Sequence, residues 1–103
     1  MIKLYNEGKR ITAALKGDID HHSARHIRQA LDEVISLSQP DLLILDMEEV
    51  GFMDSSGIGL IIGRMNTLRS FGGDLVIKNA RPQLAAVIKL SGLSSLLAEG
   101  VKT

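Results

Sequence analysis

The stretch DLLILDMEEVGFMDSSGIGLIIGRMNTLRSFGGDLVI, residues 41–77, decides the fold. Its first seven residues have a continuous apolar centre, Leu42 to Leu45. That is the pattern of a strand covered on both faces, as in a parallel sheet. After a loop over residues 48–54, Ile58, Ile61, Ile62, Met65 and Leu68 recur at three- and four-residue spacing. That spacing predicts a helix over about 56–70. Gly72-Gly73 ends it, and Leu75-Val76-Ile77 reads as another short strand. A strand, a helix and a strand in that order form a right-handed crossover unit.

The flanks extend the same alternation. Upstream, Ile2 and Leu4 alternate with polar neighbours, and Ile11, Ala13 and Leu15 alternate again after a turn at residues 6–9. The pair reads as an N-terminal hairpin. Residues 17–20 form a loop. Ala24, Ile27, Leu31, Val34 and Ile35 then mark an amphipathic helix over about 23–37, capped by Asp20 or Ser23 and stopped by Ser38-Gln39-Pro40. Downstream, Pro82 suits a first helical turn, with a helix to Leu90 and Gly92 as its terminator. Leu96 and Leu97 start a last strand. The expected fold is α/β, a mixed sheet of one hairpin plus parallel strands, packed with about three helices.

Composition sets the outer limits. At 103 residues the chain has room for one domain, 1–103. It has 12 Lys plus Arg against 12 Asp plus Glu, so it lacks the basic excess of a nucleic-acid or anionic-membrane binder. It has no cysteine, which excludes disulfides and thiolate chemistry. No apolar run is long enough to span a bilayer, and residues 1–7 do not resemble a signal peptide. Tyr5, Phe52 and Phe71 are the only aromatic residues, too few for base stacking. The expectation is a cytoplasmic, near-neutral domain with no direct nucleic-acid or membrane partner.

In open α/β sheets, sites lie beyond the carboxyl ends of the strands. Two loops leave such ends, at residues 17–22 and 49–59. In the second, Asp54, Ser55 and Ser56 stand where a helix begins. They suit N-capping, the commonest use of these residue types. They equally suit exposure of one serine for modification or ligand contact. A phosphate on Ser55 would meet free N–H groups and the positive end of the helix dipole, so the fold would tolerate it. Its charge would act outward on a docked partner, reinforced by Asp54.

Other chemistries fit less well. Gly57, Gly59 and Gly63 follow a long loop at the wrong spacing for a dinucleotide fingerprint, and there is no phosphate-binding G-x-x-x-x-G-K-[ST] loop. Small residues that let the helix approach the sheet or a partner explain these glycines better. His21, His22 and His26 cluster, with His22 and His26 four apart, but the remaining ligands of a zinc site are missing. A serine hydrolase needs a G-x-S-x-G elbow, which Met53 and Asp54 rule out before Ser55. No catalytic residue, metal or cofactor is expected. A sharper competitor is a receiver-like domain phosphorylated on Asp46, with Asp18 and Asp20 as the acidic pair and Lys78 as the lysine. Its weakness is that Ile19 separates the acids and the first strands form a hairpin.

Residues 52–64, Phe-Met-Asp-Ser-Ser-Gly-Ile-Gly-Leu-Ile-Ile-Gly-Arg, resemble the signature of the anti-sigma factor antagonists, the STAS domains. Residues 17–24, Gly-Asp-Ile-Asp-His-His-Ser-Ala, resemble the family's second motif, and Ser91-Gly92-Leu93 a third. The resemblance covers nearly the whole chain. It implies a binding module in which the unphosphorylated form engages an anti-sigma factor and so frees a sigma factor, as in sporulation or stress control. The anti-sigma factor is also a serine kinase, and a serine phosphatase reverses its action. The resemblance further implies that Ser55 is the phosphoacceptor. Asp54, Ser56, Gly57 and Gly59 would shape its loop, and Asp20, His21 and His22 would extend the docking face. The other family role left open is a scaffold or nucleotide-sensing module. The family's final helix is expected to be absent.

Overall fold

The computed structural model describes residues 2–98. The elements are β1 (Ile2–Glu7), β2 (Arg10–Lys16), α1 (His21–Ser38), β3 (Leu42–Glu49), α2 (Ser55–Arg69), β4 (Asp74–Lys78) and α3 (Pro82–Leu90). A short 3-10 turn follows at Ser94–Leu96. The strands lie in the order β1-β2-β3-β4. β1 is antiparallel to β2, and β2, β3 and β4 are parallel. This is the mixed sheet with three helices that the periodicity predicts.

The sheet has one dry face. Ile11, Ala13 and Leu15 of β2, Leu43, Leu45 and Met47 of β3, and Leu75 and Ile77 of β4 are all buried. Against them pack Ala24, Ile27, Leu31 and Ile35 of α1, Leu60, Ile61 and Leu68 of α2, and Leu84 and Ile88 of α3, as one cluster. The opposite face carries Thr12, Ala14, Leu42, Ile44, Asp46 and Val76, which are only partly buried. The apolar run of β3 therefore does not mark a strand covered on both faces. Its outward positions are shielded sideways, Ile44 lying between Thr12 of β2 and Val76 of β4 in register.

Three other expectations are corrected. In α2 the buried stripe runs through Gly57, Leu60, Ile61 and Leu68, leaving Ile62 exposed and Ile58 and Met65 at the margin. The helix is rotated so that Gly57, rather than Ile62, faces the sheet. Secondly, Leu96 and Leu97 start no strand among the described residues. Leu96 closes the 3-10 turn, and Leu97 makes an isolated bridge with Ile77. Thirdly, β3 runs to Glu49, two residues into the expected loop. The expectation about a final helix falls outside the described residues.

Helix ends follow the local chemistry. Gly72 and Gly92 take φ values of 92° and 81°, the left-handed conformation that glycine adopts without a Cβ clash. Gly73 has a second constraint: a Cβ there would come within 2.6 Å of the Pro40 carbonyl oxygen. The turn into β4 thus runs hard against the turn into β3.

Candidate functional site

The loop after β2 and the loop after β3 are stitched together beyond the sheet. The Ile19 amide donates to the Phe52 carbonyl at 2.9 Å, and the Asp54 amide donates to the Ile19 carbonyl at 3.1 Å. Ile19 and Met53 form a parallel bridge, both side chains buried. The Gly17 amide reaches the Glu49 carbonyl at 3.0 Å, just past a register shift between Ala14 and Lys16. The two stretches singled out in the sequence are therefore one structural unit.

Each loop feeds a capped helix. Asp20 accepts from the Ser23 amide at 2.9 Å, and Ser23 Oγ accepts from the Asp20 amide at 3.0 Å, a reciprocal capping box. Ser23 Oγ also donates to the Asp18 carbonyl at 2.9 Å. The Ser23 amide bond, outweighing slight desolvation, holds the Asp20 carboxyl below its ordinary range. A carboxyl depressed on folding stabilises the fold above its unfolded pKa of about 3.9 and loses that contribution as pH falls through its folded value. Asp20→Ala is accordingly expected to lower the thermal midpoint at pH 7, with the difference from wild type shrinking towards pH 3. Melts followed by circular dichroism at both pH values check this.

Asp54 caps α2, its Oδ1 accepting from the Ser56 amide at 2.8 Å, while its carbonyl accepts from Gly57 at 3.0 Å. This answers which residue of the Asp-Ser-Ser run is the cap. It also corrects one expectation: the donors a phosphate on Ser55 would meet are already largely taken by Asp54. Ser55 itself is the first residue of α2, exposed, and its hydroxyl makes no hydrogen bond to a described residue.

The two expected glycines differ. A Cβ on Gly57 would fall on Met53 Cγ and Sδ and come within 3.3 Å of Ile19. Gly57 is thus the residue over which the stitched loops close. A Cβ on Gly59 would meet nothing within 4 Å, and the same holds at Gly63. Among the described residues, their smallness serves no close packing.

Between α1 and α2 runs a groove lined by His21, Arg25 and Arg28 on one side and Ser56, Gly59 and Arg64 on the other. The Arg64 side chain is nearly buried, its Nε 2.9 Å from Asp32 Oδ1, although the N–H does not point along that contact. Sequence reasoning placed Arg25 and Arg28 on an outer face and did not see that they converge with Arg64. The signal was the 21-25-28 spacing, which puts His21 and the two arginines on one side of α1. His21, Ser56 and Gly59 share this groove. His22 instead packs edge-on against His26, the ring centroids 5.2 Å apart. Phe52, half exposed, stands at the rim of the stitched loops and was not among the expected site residues.

Asp46 does not form the heart of a receiver-like site. Its Oδ1 accepts from the Glu48 amide at 3.1 Å and from Asn79 Nδ2 at 3.0 Å, on the partly open sheet face. Asp20, the proposed partner acid, is committed to capping α1.

The stitched loops thus bring residues 17–22 and 49–54 together beside an exposed serine, Ser55, at the start of a capped helix. The chain belongs to the STAS domain family, which matches it over residues 5–103. It is 32% identical over 83 residues to an anti-sigma F factor antagonist of Paenibacillus polymyxa, covering 81% of this chain and 71% of that one. Its fold superimposes on the anti-sigma factor antagonist SpoIIAA in the unphosphorylated form with a TM-score of 0.86 at 31% identity, over 94% of this chain and 85% of the other. The Bacillus cell fate determinant SpoIIAA in the phosphorylated form gives a TM-score of 0.78, also at 31% identity, over 94% and 88%. The receiver-like alternative is not favoured by these relationships.

Proposed function

We propose that this protein is an anti-sigma factor antagonist whose binding is switched by phosphorylation of Ser55. The observation that carries the reading is the exposed, unengaged Ser55 hydroxyl, at the start of a helix whose cap is locked to the second family motif. Unphosphorylated, the face built from the stitched loops and the basic groove docks on an anti-sigma factor and so frees its sigma factor. Phe52 offers an apolar contact at the rim, and the exposed Arg25 and Arg28 offer positive charge to an acidic element of the partner, while Arg64 is engaged by Asp32.

The partner is also the kinase. Ser55 Oγ attacks the γ-phosphorus of ATP, the new O–P bond forms as the bond to the β-phosphate oxygen breaks, and ADP leaves. The serine proton passes to a base on the kinase. Phosphoserine adds about −2 charge beside the Asp54 carboxylate. The Asp54 carboxylate already occupies the Ser56 amide, so the added charge projects outward rather than being absorbed by the helix end. The docked anti-sigma factor is then repelled, and a serine phosphatase resets the switch in the cytoplasm.

Capture from native-host lysate tests this. Wild-type protein is expected to retain an anti-sigma factor with ATP-dependent serine kinase activity, and Ser55→Asp protein is expected to lose it. Equal capture by both would contradict the reading.

A further inference from the structure

β1 is an outer strand, paired on one side with β2 and, among the described residues, unpaired on the other. Leu4 is 43% exposed and Tyr5 54%. The hairpin turns through Gly8 and Lys9, with Glu7 opposite Arg10 as its closing pair. A two-residue turn closes on a hydrogen-bonded pair, and antiparallel bonding alternates along the strand. Glu7, Tyr5 and Lys3 therefore direct their main-chain groups to β2, while Asn6, Leu4 and Ile2 direct theirs outward. Lys3, Tyr5 and Glu7 are in register with Ala14, Thr12 and Arg10, which places all three on the open face of the sheet.

An edge strand with free main-chain groups is a template for another strand, and natural edges carry lysines that discourage it. Lys3 does that against a random strand. It does not do so against a second β1. A two-fold axis perpendicular to the sheet keeps the helices of both copies on one side, and paired residues then share a face. Outward-bonding residues must also pair with one another. The pairing can be centred on Leu4, Tyr5 or Asn6. Centring on Asn6 sets Lys3 against the second copy's Lys9, and centring on Leu4 sets Lys3 against Tyr5. Centring on Tyr5 sets Lys3 against the second copy's Glu7 and Glu7 against its Lys3. The two tyrosines then face each other, and Leu4 and Asn6 exchange main-chain bonds across the junction. Only this register opposes unlike charges at both ends. Neither Lys3 nor Glu7 has an ion-pair partner among the described residues.

We propose that β1 is a self-recognition edge: two copies pair antiparallel through β1 in the Tyr5-centred register, joining two four-stranded sheets into one of eight. β1 lies across β2 from the strand that feeds the Ser55 loop, so both Ser55 sites remain open in the pair. The contact is one strand wide, which makes it a weak, concentration-dependent dimer.

Sedimentation velocity from about 10 µM to about 1 mM tests it, in the range where small interfaces associate. Wild-type protein is expected to move towards twice the monomer mass as concentration rises. Lys3→Glu and Glu7→Lys each place like charges opposite one another twice. Each is expected to weaken association about tenfold, and the double variant Lys3→Glu/Glu7→Lys to restore it. These side chains are exposed, so circular dichroism should stay unchanged throughout. A wild-type monomer at the highest concentration would overturn the proposal. A dimer that both single variants leave intact, or that the double variant fails to recover, would overturn it equally.

Discussion

Ser55→Asp is expected to weaken binding to the anti-sigma factor by about 100-fold or more, while Ser55→Ala binds at least as well as wild type and accepts no phosphate. A like-charge contact at a docked surface costs several kcal/mol, and each 1.4 kcal/mol is about tenfold. The position is suited to so large an effect without loss of fold. Ser55 is exposed and first in α2, and neither substitution touches the Asp54 cap or the buried Leu60 and Ile61. The helix dipole favours a carboxylate at this end and the neighbouring Asp54 carboxylate opposes it, so Ser55→Asp protein should melt close to the wild-type temperature. Loss of binding with unchanged melting separates a surface switch from unfolding. Titration calorimetry with the purified partner, alongside thermal melts, measures both.

Gly57→Ala and Gly59→Ala are expected to move stability in opposite directions, although they are two residues apart in one helix. A methyl at Gly57 would overlap Met53 Cγ and Sδ, and Met53 is held by its bridge to Ile19. Overpacking of this kind costs about 1–3 kcal/mol. The damage is directed at the site, because relieving the overlap means parting the two stitched loops. Partner binding should fall with stability in this variant. At Gly59 a methyl meets nothing, and alanine in a helix interior is better than glycine by about 0.5–1 kcal/mol. Gly59→Ala should therefore raise stability. If it also weakens binding, Gly59 is small for the partner's benefit, since the chain itself has no need of it. Chemical denaturation of both variants checks the signs.

The contrast between these glycines shows where sequence pattern stopped being informative. Alternation in β2 and three-four spacing in α1 placed those elements correctly, because both periods report burial on one face directly. The Asp-Ser-Ser run announced a helix start for the same local reason. Gly57 and Gly59 carry no side chain to show a period, and their different roles depend on Met53 approaching from another loop. Leu42 and Ile44 misled for a related reason. Apolar residues on a half-open sheet face look the same in sequence as residues beneath a second helical layer. The basic groove needed the α1–α2 contact to bring Arg64 beside Arg25 and Arg28. The motif resemblance reached further than any of these, linking residues 17–24 with 52–64, and the stitched backbone gives that linkage its physical basis.

The most direct measurement is phosphosite mapping by mass spectrometry after incubation with the captured anti-sigma factor and magnesium ATP. The expected result is one phosphate on Ser55, with the modified protein released from the complex and Ser55→Ala protein left unmodified and bound. Phosphate on Ser56 or Asp46 instead, or stoichiometric phosphate on Ser55→Ala protein, would contradict the account.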